Sequence, residues 1–127
     1  MLERHDIRLK YDGIKTILED FYSKGGDRPE EIYHRCRMDN AAYYGNEDGF
    51  VIVTTTVDEN TLDKELFIWV MYADVSGFIE REREFLIELA RSLSCKKIAF
   101  GTQRKGFGRL LGPGWKCRNI EHEMEIE

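Results

Sequence analysis

Proline is nearly missing from this chain, with only Pro29 and Pro113 among 127 residues. Proline-rich linkers and extended polyproline segments are thereby excluded. Cysteine is almost as sparse. Cys36, Cys95 and Cys117 are odd in number, far apart and without a Cys-x-x-Cys pair. That pattern argues against a disulfide framework and against a structural zinc site, and makes buried free thiols the expectation. No apolar run approaches the ~18 residues that read as a membrane helix. Met1-Leu2-Glu3-Arg4-His5 lacks the character of a signal peptide, so a cytoplasmic protein with no membrane role is expected. His5, His34 and His122 lie in separate segments, so neither a metal site nor a histidine-activated nucleophile is indicated. Repeats, low-complexity stretches and linker-like segments are missing too. One domain covering 1–127 follows.

What is present is an ordinary globular composition, 42% hydrophobic and 34% charged, with an uneven charge distribution. Residues 91–118 hold eight basic side chains and no acid, giving +8 and leaving −13 for the remainder of a chain whose net charge is −5. Such a segment can attract a phosphate or an acidic surface.

The organising stretch is Lys64 to Trp115. Leu66-Phe67-Ile68-Trp69-Val70-Met71-Tyr72 is an apolar run of strand length. Ala73-Asp74-Val75-Ser76-Gly77 supplies turn chemistry, with Ser76 or Asp74 as N-cap. An amphipathic helix over Phe78 to Leu93 follows, its stripe formed by Ile79, Phe85, Leu86, Leu89, Ala90 and Leu93 and its charges on a solvated face. Lys97 to Phe100 is the next strand. Strand, helix, strand is one βαβ unit with parallel strands. Upstream, His5 to Leu9 reads as a short strand. Tyr11 to Tyr22 reads as a helix capped by Asp12, and a second helix starts at Arg28-Pro29 behind Asp27 and ends near Met38. Asn40–Gly45 and Phe50–Val57 then form a hairpin, extended by the Leu66 strand into an antiparallel meander. Downstream, a short helix over Arg104 to Leu111 precedes a last strand, Trp115 to Ile126.

This order, a mixed α/β chain with two helices, a meander, a βαβ crossover, a short helix and a final strand, resembles the GNAT (N-acetyltransferase) superfamily. Gly114-Trp115 looks like the pair that opens its last strand. Leu66-Phe67-Ile68-Trp69-Val70, the stretch Leu93 to Phe100, and Arg104-Lys105-Gly106-Phe107 resemble small GNAT-like proteins of tailed bacteriophages and prophages. The resemblance implies acetyl-CoA bound by Arg/Gln-x-x-Gly-x-Gly/Ala at a helix N-terminus, where backbone N–H groups face phosphate. The matching positions, Val75, Ser76 and Gly77, offer one glycine and no base, with Asp74 and Glu80 close by. A second stretch, Gln103, Arg104, Gly106 and Gly108, has the same spacing. It leaves too little chain after it to complete the fold. The superfamily's acid tyrosine falls on Leu110, so no catalytic residue stands out. Tyr72 is the available substitute, and Glu65 or Glu47 the available bases.

The leading expectation is therefore a catalytically degenerate GNAT-fold protein of phage origin. It would act in virion assembly or as a virion component, without a cofactor, with phage structural proteins as partners, in the bacterial host cytoplasm or the virion. The first alternative is a working acetyl-CoA-dependent N-acetyltransferase. The second is a nucleic-acid-binding module using the basic 91–118 segment, which the overall negative charge and acidic C-terminus disfavour.

Overall fold

The structure is a computed structural model that describes residues 1–101, 116–118 and 121–126. Its elements are β1 (Glu3–His5), α1 (Ile7–Ser23), α2 (Pro29–Arg37), β2 (Ala42–Asn46), β3 (Gly49–Val57), β4 (Lys64–Ala73), α3 (Phe78–Arg81), α4 (Arg83–Ser92), β5 (Lys97–Gly101), β6 (Lys116–Arg118) and β7 (Glu121–Glu125). The strands form one sheet in the order β1-β2-β3-β4-β5-β7-β6. β4 and β5 are parallel, and every other described pairing is antiparallel. The expected meander and βαβ crossover are both present.

Helices cover both faces. On one, Ile7, Ile14 and Leu18 of α1 and Ile32 and Cys36 of α2 bury against Tyr43, Phe50, Ile52, Trp69 and Val70. On the other, Phe78, Ile79, Leu86 and Ala90 pack on Val51, Val53, Leu66, Ile68, Ile98 and Phe100. Each fully buried Leu or Ile contributes about 2 kcal/mol of hydrophobic stabilisation. No helix among the described residues is long and apolar enough to cross a membrane.

Several boundaries differ from the sequence expectations. The first strand ends at His5 because Asp6 caps α1, its Oδ1 accepting the Arg8 backbone N–H at 2.9 Å. The Arg8 guanidinium grips the same carboxylate and holds its pKa down at about 2. Residues 7–9 are thus helical, Leu9 is exposed, and Asp12 lies one turn inside. α2 begins at Pro29 with Arg28, not Asp27, at the cap position. Ser76 and Asp74 do not cap α3: Gly77 occupies that position with φ 72°, in the left-handed region where glycine is favoured.

The single helix expected over Phe78 to Leu93 is broken at Glu82. Phe78, Glu82, Leu86 and Ala90 recur every four residues on the buried face, so Glu82 sits in the apolar stripe at 7% exposure and not on a solvated face. Leu93, expected in the stripe, is exposed. The last strand is two strands, β6 and β7. Their register sets Lys116 opposite Glu123 and Arg118 opposite Glu121, so folding back brings residues of opposite charge across the ladder. The helix expected over Arg104 to Leu111, Gly114-Trp115 and the side chain of Cys117 lie outside the described residues. Cys36 and Cys95 are buried free thiols, as expected.

Candidate active site

The site is built on β4. An apolar run of this length must be covered on both faces, and its neighbours supply that cover. β3 pairs with β4 along its whole length, from Val57↔Lys64 to Gly49↔Ala73. The register slips at Trp69: Ile52 faces Val70 while Val53 faces Ile68, so Trp69 is an extra residue. Such a bulge bends and twists its strand. Trp69 and the next residue, Val70, both belong to the cluster beneath α1 and α2. The alternation then resumes, with Met71 and Ala73 against the α3–α4 side.

Two contacts fix the bulge. The Trp69 indole N–H donates to Asp27 Oδ2 at 2.6 Å, and the Arg35 guanidinium lies 4.9 Å above the indole ring. Asp27 therefore serves the bulge and not a helix cap.

On its other side β4 is only half paired. β5 matches it from Glu65↔Lys97 to Ile68↔Phe100. Gly101 is still paired with Glu121 of β7, yet among the described residues Trp69 to Ala73 have no partner on the β5 side. The described pairing of the two parallel strands ends at the bulge, and from there one edge of β4 has backbone donors and acceptors with no partner among the described residues.

At the end of this edge lies the Ala73–Gly77 loop. The Asp74 backbone N–H donates to the Asp48 carbonyl at 2.8 Å, joining the loop to the β2–β3 turn. A Cβ on Gly49 would come within 2.3 Å of the Tyr72 carbonyl oxygen, so only glycine fits beside the end of β4. Among the described residues nothing lies within 4 Å of the Cβ position of Gly77. Val75 is half-buried against the α3–α4 core, and Ser76 is exposed.

Acids surround the loop. Tyr72, 38% exposed, donates its hydroxyl to Asp74 Oδ1 at 2.7 Å, and that bond and the Asp74 charge push the phenol pKa up. Asp48 accepts from Arg81 at 2.9 Å. Glu80 is exposed in the first turn of α3.

Among the sequence candidates, Tyr72, Val75, Ser76 and Gly77 come together here, with Glu47 on the neighbouring β2–β3 turn. Glu65 does not. It is buried at the far end of β4, where its carboxylate accepts from Thr56 Oγ1 at 2.9 Å. Gln103, Arg104, Gly106, Gly108 and Leu110 lie outside the described residues. Among the described residues no group of His, Cys, Asp and Glu could hold a metal ion. Sequence reasoning missed the bulge and its Asp27 anchor. The one local signal was an indole in the middle of a run whose other side chains, up to the terminal Tyr72, carry no hydrogen-bond donor, since a buried indole N–H demands an acceptor.

No protein-family model matches the chain, and no curated protein matches it either. Solved structures do. One described as a probable acetyltransferase is 12% identical, covers 87% of this chain and 85% of its own, and superposes with a TM-score of 0.61. A ribosomal-protein-alanine N-acetyltransferase from Brucella melitensis biovar Abortus 2308 gives 15% identity, 94% and 98% coverage, and the same TM-score of 0.61. A GNAT-family acetyltransferase from Listeria monocytogenes 4b F2365 gives 13%, 98% and 95%, and 0.60.

Proposed function

The chain has the fold of the GNAT acetyltransferases, and on that premise we propose that it is an acetyl-CoA-dependent N-acyltransferase. The carrying observation is the half-paired β4: one edge held by β3 through Ala73, the other without a partner among the described residues from Trp69 onward, beside the Gly77 helix start. When bound, acetyl-CoA would supply an activated acyl group on a long arm containing amides. The Trp69–Ala73 backbone is suited to hydrogen-bond such an arm as a neighbouring strand would. Gly77 leaves room for close approach at the loop. Tyr72 holds a phenol proton at the end of that edge, and its bond to Asp74 pushes the pKa up. To donate that proton elsewhere the hydroxyl must leave Asp74, which makes the Tyr72–Asp74 pair the point to test for acid catalysis.

A second reading, the non-catalytic phage virion or assembly protein, is favoured by the acids at the loop. Asp74 is exposed, and among the described residues Asp48 is paired with Arg81 and the exposed Glu80 with Arg83, at 3.5 Å. Like charge opposes an incoming pyrophosphate. In this reading the groove is a relic and the partner is a protein.

Calorimetric titration with acetyl-CoA separates the two, using wild type, Ser76→Glu and Arg104→Glu. Saturable binding lost in Ser76→Glu is the expected result. No heat up to millimolar ligand overturns the enzyme reading and leaves the assembly role. Loss confined to Arg104→Glu moves the phosphate loop to Gln103–Gly108.

A further inference from the structure

A cleft of about 500 Å³ opens at the opposite edge of the sheet from β5, β6 and β7, lined entirely by residues from the first third of the chain. It lies where β1 runs into α1 and α2 runs into β2, away from the Ala73–Gly77 loop. Its size is that of a small-molecule site. Three guanidinium groups reach it, and they are not equivalent. Arg8 is fully engaged: Asp6 accepts from its Nε and Nη2 at 2.7–3.1 Å. Arg4 makes one hydrogen bond to Asp39, at 3.2 Å, in a pair whose side chains are 56% and 81% exposed. Such a pair is weak and easily exchanged for another anion. Arg37 makes no salt bridge among the described residues, although its charge reaches Asp6 across the cleft. Its guanidinium lies 5.9 Å over the Tyr33 ring. Beside these cations the cleft has an aromatic wall, His5 edge-on to Tyr43 with ring centroids 5.9 Å apart.

Among the described residues, a guanidinium without a salt bridge, a second one held by an exposed acid, and an adjoining ring surface together suit a small dianion carrying an organic group. Guanidinium forks match carboxylate and phosphate oxygens alike in pairs, but a phosphate monoester has three terminal oxygens and about two charges, enough to engage two guanidinium groups at once. We infer that this cleft is a binding site for the phosphoryl group of a small phosphate monoester, with Arg37 and Arg4 as its ligands and Asp39 as the group it displaces. The site is separate from the β4 groove and does not depend on the function proposed for it.

The test is titration of the full chain with phenyl phosphate and with inorganic phosphate at low salt, followed by amide chemical shifts. Saturable binding is expected, with shifts centred on residues 4–8 and 37–43. Arg37→Gln should weaken it by about tenfold, the loss of one charge-assisted pair. Asp39→Asn should strengthen it, because Arg4 is then released. Both positions are exposed, so the fold is retained, and unchanged circular dichroism and unchanged amide shifts away from residues 4–8 and 37–43 check that. Tighter binding of phenyl phosphate assigns the site to an ester, and equal binding assigns it to phosphate itself. No saturable shift, or shifts indifferent to Arg37→Gln, overturns the inference.

Discussion

Trp69 and Asp27 are joined by a 2.6 Å hydrogen bond across 42 residues of sequence, fastening the bulge of β4 to the connection between α1 and α2. The geometry of the open strand edge thus depends on a residue of the helical layer. Nothing local in β4 would hold the indole in that position.

Removing the acceptor should therefore cost both stability and groove geometry. Asp27→Ala leaves a buried indole N–H without its partner, an expected loss of about 2 kcal/mol by urea unfolding. Asp27→Asn keeps an acceptor oxygen and should lose less than half of that. An Asp27→Ala protein as stable as wild type would show that the contact does not hold the bulge.

A second buried contact sets the acid limit of stability. Lys97 Nζ lies 3.0 Å from Asp58 Oδ2, both side chains 6% exposed. The Lys97 hydrogen bond leads the effects that hold the Asp58 pKa down at about 2, well below the usual carboxylate range. A depressed carboxylate stabilises the fold fully above its unfolded pKa and loses that contribution as pH falls toward its folded one. Asp6, held down at about 2 by Arg8, adds in the same direction. Stability should be flat from neutrality to about pH 5 and fall between about pH 4 and pH 2. Lys97→Met should lower the melting temperature by roughly 10 °C or more at pH 7, with a smaller drop on acidification. Identical acid profiles for variant and wild type would exclude the pair as the cause.

Glu82 offers the opposite sign. It is buried in the stripe that joins Phe78, Leu86 and Ala90, and among the described residues no hydrogen bond reaches its carboxylate. Replacing a buried carboxylate by an apolar residue of similar length is commonly stabilising. Glu82→Leu should raise stability by about 1 kcal/mol in thermal unfolding. A fall instead would mean that the carboxylate does something in its place that leucine cannot do.

The fold was legible where local chemistry and periodicity agree. Ile14, Leu18, Ile32 and Cys36 face the core as their spacing requires, and the meander and crossover follow from strand lengths and turns. Boundaries failed where two acids competed for one cap. Asp6 outdoes Asp12 because Arg8 locks its carboxylate in place, and Asp27 is drawn away by Trp69. The loop from Val75 to Gly77 stands where the sequence puts it. Its backbone conformation was hidden, because a left-handed Gly77 removes the need for a side-chain cap. The bulge could not be read at all. Leu66 to Tyr72 is apolar at nearly every position, so no polar–apolar alternation exists to reveal a slip.

That uniform run has its own meaning once the bulge is seen. Before Trp69, even-numbered residues of β4 point toward α3 and α4; after it, odd-numbered ones do. The strand changes parity in mid-course, and a sequence hydrophobic on both phases tolerates the change without exposing anything. Deleting Trp69 alone would restore one parity throughout. Val70 and Met71 would keep the faces they have now, and the crossover would still enter α3 in phase with the sheet; what would be lost is the bend of the strand and its tie to Asp27.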